Sequence, residues 1–326
     1  MKLGTLKHPS LRDGELVVVS RDNRQAVRAT HIAPNLRSVM DNWSELAPQL
    51  EALYDSLNSD QCEEAFQVNQ KDFHAPLPRA YGWMDGSAFI QHVKLVRQAR
   101  KAPLPEKLLT LPLMYQGGSD VFLAPDEDIP QVDFSHGTDF EGEVGVIVDD
   151  VPLGVSAEQA LDYVRLIVII NDVSLRGLIP EELAQGFGFL QSKPSSAFAP
   201  FAVTPDELGD AWRDGRIHLP LLVDYNQAFF GNADAGHMHF SFAELIAHAA
   251  KTRRLCAGTI IGSGTVSNED TSRGSSCLAE KRMLEIIHEG SASTPFMKVG
   301  DRIRMEMKDV NGQSIFGVID QEVVQY

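Results

Sequence analysis

The alternation of apolar and polar residues predicts a small β-unit and then helices at the start of the chain. Two apolar runs, residues 16–20 and 26–30, flank the polar stretch 21–25, which is typical of a β-hairpin. From Leu36 to Leu57 apolar residues recur at helical spacing, with Pro48 as a candidate break. Polar and then proline-rich sequence follows, so we predict a domain boundary near Phe73, with domains 1–73 and 74–326.

The remaining pattern predicts strands with helices packed outside them. Helical composition from Ser87 to Arg100 precedes an alternating strand from Asp139 to Val148 and an apolar run, Leu166 to Ile170, of buried-strand length. Local signals predict further element boundaries. They are capping boxes at Ser156 with Gln159 and at Ser241 with Glu244, a first helical turn at Pro180, and a hairpin turn at Asn311-Gly312. Most of the chain beyond residue 256 is predicted to form strands. The predicted fold class is therefore α+β and β-rich.

Composition narrows the possible partners. The 326 residues include 29 Lys and Arg against 45 Asp and Glu, a formal net charge of -16. Nucleic acid and anionic lipid both need a basic surface, so small-molecule chemistry is favoured, with no nucleic acid and no membrane as partner. Three scattered cysteines fit neither a disulfide framework nor a zinc motif, and the start lacks a signal-peptide pattern. We therefore expect a cytoplasmic protein.

Glu141 and Glu143, two positions apart, are the first candidates for a functional site. On a strand their side chains leave the same face of the sheet, while Phe140 and Val144 take the other. Two carboxylates about 4 Å apart at an effective dielectric of about 20 repel by roughly 4 kcal/mol, a cost that a divalent cation removes. The alternative is a solvated strand face with ordinary surface glutamates.

Two aspartates and a histidine are further candidates. Asp172 follows the buried strand at a sheet edge where ligand sites collect, although it would equally suit a turn cap. A helix extended back to Asp85 would place Asp85 and His92 on one face, two turns apart. The alternative makes Asp85 a helix cap and His92 an exposed or hydrogen-bonded histidine.

Six short motifs occur in the order seen in the fumarylacetoacetate hydrolase family. They are Asp85-x6-His92, Tyr115-Gln-Gly, Asp139-Phe-Glu-Gly-Glu-Val, Asn171-Asp-Val-Ser-Leu-Arg176, Lys193 and Gly262-Ser-Gly-Thr-Val-Ser267. Over residues 75–326 the chain therefore resembles this family, in its bacterial short form. The resemblance implies a mixed β-sandwich or roll of the fumarylacetoacetase C-terminal type, preceded by a small N-terminal β-plus-helix domain.

The resemblance also implies a metal centre and a general base. The four implied metal ligands are Asp85, Glu141, Glu143 and Asp172. Oxygen ligands suit Mg2+, Mn2+ or Ca2+ and give no reason to prefer zinc, so magnesium is the first expectation. His92 resembles a general base that works with a glutamate. A strand over residues 283–290 would nominate Glu285, with Glu280 on its opposite face as the alternative.

Four more residues resemble groups that contact substrate. Lys193 and Arg176 resemble the cations that hold substrate oxygens and stabilise a departing carbanion, whereas the alternative for each is a surface charge. Tyr115 and Thr265 resemble hydrogen-bonding residues at the substrate, and simple packing is the alternative for the tyrosine.

The function that the resemblance implies is hydrolysis of a carbon-carbon bond in a β-diketo acid, such as fumarylacetoacetate or an acylpyruvate, in aromatic amino acid catabolism. A homodimer is implied as well. Hydration, decarboxylation or isomerisation of 2-oxo acids is the alternative. Residues 116–118 and 177–179 depart from the family pattern, so we expect them to select the substrate and to make the pocket less polar. Non-catalytic metal binding and a structural β-protein are the rival hypotheses.

Overall fold

The structure is a computed structural model that describes residues 1–99, 103–104 and 106–326. Its strands are β1 (Lys2–Leu6), β2 (Glu15–Val19), β3 (Gln25–Arg28), β4 (Phe66–Gln67), β5 (Trp83–Gly86), β6 (Met114–Gly117), β7 (Ile129–Gln131), β8 (Thr138–Asp139), β9 (Gly142–Val148), β10 (Val164–Asn171), β11 (Ser174–Leu175), β12 (Ala197–Phe198), β13 (Phe201–Val203), β14 (Trp212–Arg213), β15 (Arg216–Ile217), β16 (Leu221–Tyr225), β17 (Ala228–Gly231), β18 (Thr259–Gly262), β19 (Arg302–Lys308) and β20 (Ser314–Gln325). Its helices are α1 (Leu36–Met40), α2 (Trp43–Asn58), α3 (Ile90–Ala99), α4 (Ala157–Ala160), α5 (Ile179–Gln185), α6 (Phe242–Ala249) and α7 (Leu278–Glu289).

Sixteen of these strands form two sheets, and the other four form two short pairs, β8–β11 and β14–β15. The larger has the order β4-β3-β2-β1-β13-β10-β9-β18-β5-β6, with β12 also paired to β10, and the smaller has the order β17-β16-β19-β20-β7. The antiparallel β2–β3 pair confirms the predicted hairpin. Because β1 pairs with β13, the N-terminal strands extend the sheet that contains β9 and β10. The domain boundary near Phe73 stays a prediction.

The middle of the larger sheet is buried on both faces, and this explains the unbroken apolar run in β10. On one face, Val144 and Ile167 share a core with Leu221 of the smaller sheet. On the other face, Ile147 and Ile170 share a core with residues of α1 and α2. The predicted buried strand is confirmed, and the mixed α+β, strand-rich fold is confirmed with it.

Three predictions about helices are wrong. The break between α1 and α2 lies at Asn42, whose backbone is non-helical (φ -138°, ψ 35°), whereas Pro48 lies inside α2 and there forfeits one hydrogen bond. Asp85 is on strand β5, so it does not share a helix with His92. Helix α3 begins at Ile90 and not at Ser87, and the predicted helix end at Arg100 lies outside the described residues.

The predicted strand over residues 283–290 is also wrong, because this segment belongs to helix α7. The strand predicted from Asp139 to Val148 is interrupted at Phe140 and Glu141. Ser156 precedes α4 but makes no capping hydrogen bond through its side chain. The signals that are confirmed are Pro180 at the start of α5, the Ser241–Glu244 capping box of α6 and the turn at Asn311-Gly312 between β19 and β20. Within the described residues, no helix has both the length and the apolar character needed to cross a membrane.

Candidate active site

Neighbouring strands of the larger sheet bring three carboxylates together. Glu143 lies on β9 and Asp85 on β5, while Asp172 comes directly after β10. Strand β18 separates β9 from β5, and there Gly262 lies opposite both Gly145 and Asp85. Oxygen atoms of Asp85, Glu143 and Asp172 all lie within 4.8 Å of one another, and the three residues are buried. The sheet therefore builds an acidic triad.

Two glycines of β18 and the loop after it make room for Asp85. A Cβ atom on Gly262 would lie 2.5 Å from Asp85 Oδ1 and 2.4 Å from the Trp83 ring, so no side chain fits there. Gly264 has a φ of +75°, and its N–H donates to Asp85 Oδ1 at 2.8 Å. The Gly262-Ser-Gly motif thus acts by positioning a carboxylate.

Lys193 compensates part of the charge on the triad. Its Nζ donates to Asp172 Oδ2 and to Glu141 Oε2, at 2.5 Å each. Asp172 also accepts hydrogen bonds from the Tyr115 hydroxyl at 2.6 Å and the Ser196 hydroxyl at 2.7 Å. Burial lowers the pKa of Lys193 less than Asp172 and Glu141 raise it, so the ammonium stays charged.

Glu141 differs from Glu143 in its partners, although both are buried. Both oxygens of Glu141 are ion-paired, because Arg176 Nη2 donates to Oε1 at 2.6 Å and Lys193 takes Oε2. Burial alone would raise the pKa of Glu141, but Arg176 and Lys193 outweigh it and hold that pKa below its ordinary value. The structure therefore brings Glu141 to the site as a carboxylate already compensated by two cations.

Glu143 is the uncompensated member of the triad. Among the described residues neither of its carboxylate oxygens has a hydrogen-bond partner. Burial first, and then Asp85 and Asp172, raise the pKa of Glu143 well above its ordinary value. Burial and Asp172 likewise raise the pKa of Asp85 to about 8. A buried, unpartnered carboxylate among like charges fits a bound cation, and the all-oxygen donor set suits a hard divalent ion.

A second group of residues comes from two helices. His92 on α3 has its Nδ1 3.1 Å from Oε2 of Glu280, which is only 2% exposed and lies in the first turn of α7. When the Glu280 carboxylate is ionised it only accepts hydrogen bonds, so His92 is then the donor through Nδ1–H and Nε2 carries no proton. The site therefore contains a histidine held by a buried glutamate.

Glu285 is not the partner of His92, so that prediction is corrected. It lies five residues after Glu280 on a helix of 3.6 residues per turn and so points elsewhere. Its carboxylate accepts from the backbone N–H groups of Ser293 at 2.7 Å and Thr294 at 2.9 Å. The prediction of Glu285 depended on a strand over residues 283–290, where the structure has helix α7.

The acidic triad and the histidine–glutamate pair each contribute residues to the wall of one cavity of about 590 Å³. Its polar wall includes Tyr115, Thr265, Arg176 and Lys193, together with His92 and the carboxylates of Asp85, Glu141 and Glu143. Its apolar wall includes Val93, Leu113, Ile179, Leu183, Phe189 and Phe296. The predicted substrate-facing residues thus meet in one place. Of the described residues that were expected to select substrate, Ile179 lines the cavity, and residues 116–118 do not.

Several residues of the site escaped sequence reasoning. Ser196 and the aromatic residues Phe189 and Phe296 carry no motif that marks them. Asp139 did carry a signal, because residues 139, 141 and 143 alternate in the same acidic pattern. It is fully buried and ion-paired with Arg176 through Nε at 2.9 Å.

The fold and the site define a chain with a buried acidic triad beside a histidine–glutamate pair. Residues 82–324 match the family described as "Fumarylacetoacetate (FAA) hydrolase C-terminal", and residues 1–79 match "Fumarylacetoacetase N-terminal domain 2". The chain belongs to the fumarylacetoacetate hydrolase family, whose members are enzymes.

Individual relatives show how varied the chemistry of similar proteins is. A 2,4-didehydro-3-deoxy-L-rhamnonate hydrolase from Sphingomonas sp. is 30% identical over 166 residues, which are 50% of this chain and 54% of that protein. The chain thus spans about half the length of the curated relatives it matches. Maleylpyruvate hydrolase from Sphingobium sp. SYK-6, solved with manganese(II) and pyruvate, has a TM-score of 0.65 at 16% identity, over 100% of this chain and 99% of that one. A 5-carboxymethyl-2-hydroxymuconate delta-isomerase from Mycobacterium smegmatis has a TM-score of 0.62 at 16% identity, over 100% of both chains.

Proposed function

We propose that this protein is a divalent-metal-dependent hydrolase that cleaves a carbon-carbon bond in a β-diketo acid, such as an acylpyruvate or fumarylacetoacetate. The observation that carries the proposal is that His92, which contacts Glu280, lines the same cavity as two carboxylates of the acidic triad. A protein that only stored a cation would have no use for a basic histidine nitrogen there. A base can also take a proton from carbon, so isomerisation of a 2-oxo acid is the alternative that product analysis tests.

The ion would be held by Asp85, Glu143 and Asp172, with Glu141 as the fourth carboxylate at the site. When bound, a divalent ion supplies Lewis acidity, which polarises a carbonyl and stabilises enolate charge. Glu143 supports this assignment most strongly, since its two oxygens have no other partner among the described residues. Mg2+ and Mn2+ are the first candidates, and a manganese(II) complex of a protein with this fold favours testing both.

The proposed reaction begins with His92. Its Nε2 takes a proton from water while Nδ1–H keeps its hydrogen bond to Glu280, which stabilises the imidazolium that forms. The hydroxide adds to the ketone carbon remote from the substrate carboxylate. Collapse of this adduct breaks the bond between that carbon and the neighbouring methylene carbon. The products are a carboxylic acid and the enolate of an oxo acid, which is a 2-oxo acid from an acylpyruvate and a 3-oxo acid from fumarylacetoacetate.

Lys193 has a defined part in the second half of the reaction. An ammonium has three donors, and two of them are taken by Glu141 and Asp172. The third is available to a substrate oxygen in the cavity, where it stabilises enolate charge. The enolate then takes up the proton that His92 received from water and leaves as the oxo acid.

Turnover with labelled water tests the proposal. The full-length protein is incubated in H2-18O with Mg2+ or Mn2+ and with an acylpyruvate, fumarylacetoacetate or a 2-oxo-enoic diacid, and products are identified by mass spectrometry. We expect one 18O atom in the carboxylic acid released from a diketo acid, and loss of turnover with chelator. Cleavage-free isomerisation or release of carbon dioxide would contradict hydrolysis and favour the alternative reactions. The homodimer remains a prediction, which light scattering on the same sample tests.

A further inference from the structure

Asp139 is a buried carboxylate near the site that accepts three hydrogen bonds, yet the proposed reaction gives it no role. Its Oδ1 accepts from the backbone N–H of Leu278 at 2.8 Å. Its Oδ2 accepts from the backbone N–H of Ala279 at 2.9 Å and from Arg176 Nε at 2.9 Å. Asp139 itself is fully buried on β8, whereas the Arg176 side chain keeps 15% of its surface exposed.

The two backbone donors are the first two residues of α7. Amides in the first turn of a helix have no partner inside the helix, so an outside acceptor fixes where the helix begins. The next residue is Glu280, whose own N–H reaches only the Cys277 sulfur at 3.3 Å. Sulfur is a weak acceptor, so Asp139 is the main anchor of the turn that carries Glu280.

Arg176 holds the anchor itself in place. Its guanidinium bridges Asp139 and Glu141 through Nε and Nη2, so the Asp139 carboxylate cannot rotate without breaking an ion pair. The strand that leads to the acidic triad and the helix that presents Glu280 therefore meet at one buried group. A displacement of about 1 Å at a reacting group costs on the order of 10^2-fold in rate, so the position of this turn matters to catalysis.

We propose that Asp139 is a positioning residue that sets Glu280 against His92 by anchoring the first two amides of α7. The proposal rests on the function proposed above. The rival explanation is an ordinary helix cap that contributes stability alone, as Ser241 does for α6.

The first test is Asp139→Asn. An asparagine side chain has one oxygen and one NH2 group, so in either orientation an α7 amide loses its acceptor and faces a donor. We expect kcat for the acylpyruvate to fall about 10-fold to 100-fold, with KM and the Mn2+ affinity within about threefold. In a Glu280→Gln background the same change should alter kcat by less than about threefold, because the group that it positions is already disabled.

A readout without turnover separates this proposal from the proposed function. Nitrogen-15 spectra of histidine-labelled protein report the His92 tautomer, assigned by its loss in His92→Gln. In the wild type we expect a fixed Nδ1–H form, and in Asp139→Asn a shift towards the spectrum of Glu280→Gln. If the wild type shows these spectra but does not hydrolyse the diketo acid, the proposed reaction is refuted, whereas the positioning role of Asp139 is still supported.

Two further comparisons isolate the anchor. Ser241→Ala removes a cap from α6 and should lower the melting temperature without changing kcat or the His92 spectrum. Should Asp139→Asn not fold, Leu278→Pro deletes one anchored N–H while Asp139 stays. Proline suits this first helical position, and the extended Cys277 (φ -155°, ψ 158°) suits the residue before it. Leu278→Ala is the control for Leu278→Pro, because it keeps the backbone N–H and removes more side-chain atoms than proline does.

The proposal predicts that Leu278→Pro loses more kcat than Leu278→Ala. Equal kcat in these two variants would overturn it. An Asp139→Asn protein with wild-type kcat and an unchanged His92 spectrum would also overturn it. The same holds if the losses in kcat of Asp139→Asn and Glu280→Gln multiply in the double variant.

Discussion

The two halves of the site are held in place by different means. The acidic triad stands on neighbouring strands, where sheet hydrogen bonds fix the side chains and the charges crowd within 4.8 Å. The His92–Glu280 pair spans two helices, and its 3.1 Å contact depends on where each helix begins and how the two pack. The strand half therefore crowds like charges, whereas the helix half pairs one histidine with one carboxylate. Variants should separate ion binding from proton transfer along this division.

The largest effect is expected for Glu143→Gln, which removes the unpartnered charge from the strand half. An ion supplies several kcal/mol of transition-state stabilisation, so activity should fall about 10^4-fold or more. The melting temperature in chelator should rise, in contrast to most buried substitutions. Because the pKa of Glu143 is raised in the folded protein, folding must either protonate this group or bury its charge, which costs free energy at every pH above the ordinary pKa of 4.5. Glutamine is neutral, so the variant does not carry this cost. Exposed Glu51→Gln is the control, and a melting temperature that falls in chelator would contradict the account.

His92→Ala is expected to show the second largest effect, confined to chemistry. General-base help is worth about 10^2 to 10^4-fold, so kcat should fall within that range. The rise in melting temperature on adding Mn2+ should survive, because no ligand of the triad is altered. Loss of that rise would mean that the two halves are not separable.

Glu280→Gln and Glu285→Gln form a matched pair on one helix. We expect kcat to fall about 10-fold to 100-fold for Glu280→Gln, since the imidazolium loses its charged partner. Glu285→Gln should keep kcat within about threefold and lower the unfolding free energy by less than about 1 kcal/mol, because its amide oxygen still accepts from the Ser293 and Thr294 backbone. Steady-state kinetics and urea unfolding measure both, and the reverse pattern would restore Glu285 as the partner of His92.

The smallest effect is expected from adding one methyl group to the strand half. Gly262→Ala must displace Asp85 or Trp83, so we expect about 1–3 kcal/mol of lost stability and a Mn2+ affinity weakened about tenfold. Gly118→Ala is the control, because its Cβ would meet nothing closer than 3.7 Å. Equal Mn2+ affinity in both variants would remove the role given to the glycine of β18.

The sequence allowed much of the strand half to be predicted. Alternation along residues 139–148 put Glu141 and Glu143 on one face, and the buried run before Asp172 placed that aspartate at a strand end. Strand pairing across β18 could not be predicted, because the partners are distant in sequence and Gly262 carries no side chain to signal its role. The sequence therefore predicts Asp85 as a candidate ligand but places it on a helix, whereas the structure has it on strand β5.

The helix half was harder to predict. The segment around Glu285 has apolar residues that suit either a strand or a helix, and only the anchored start at Leu278 and Ala279 shows which forms. That anchor comes from Asp139, about 140 residues away along the chain. Long-range hydrogen bonds of this kind leave no local pattern, so the choice between Glu280 and Glu285 needed the structure.

Counting bound Mn2+ by electron paramagnetic resonance tests the central claim most directly. The full-length protein, stripped with chelator, is titrated with Mn2+ alongside Glu143→Gln and the exposed control Glu51→Gln. The account predicts one tightly bound ion per chain in the wild type and the control, and none at the same concentrations in Glu143→Gln. Equal binding in Glu143→Gln and the wild type would contradict a metal centre at Asp85, Glu143 and Asp172.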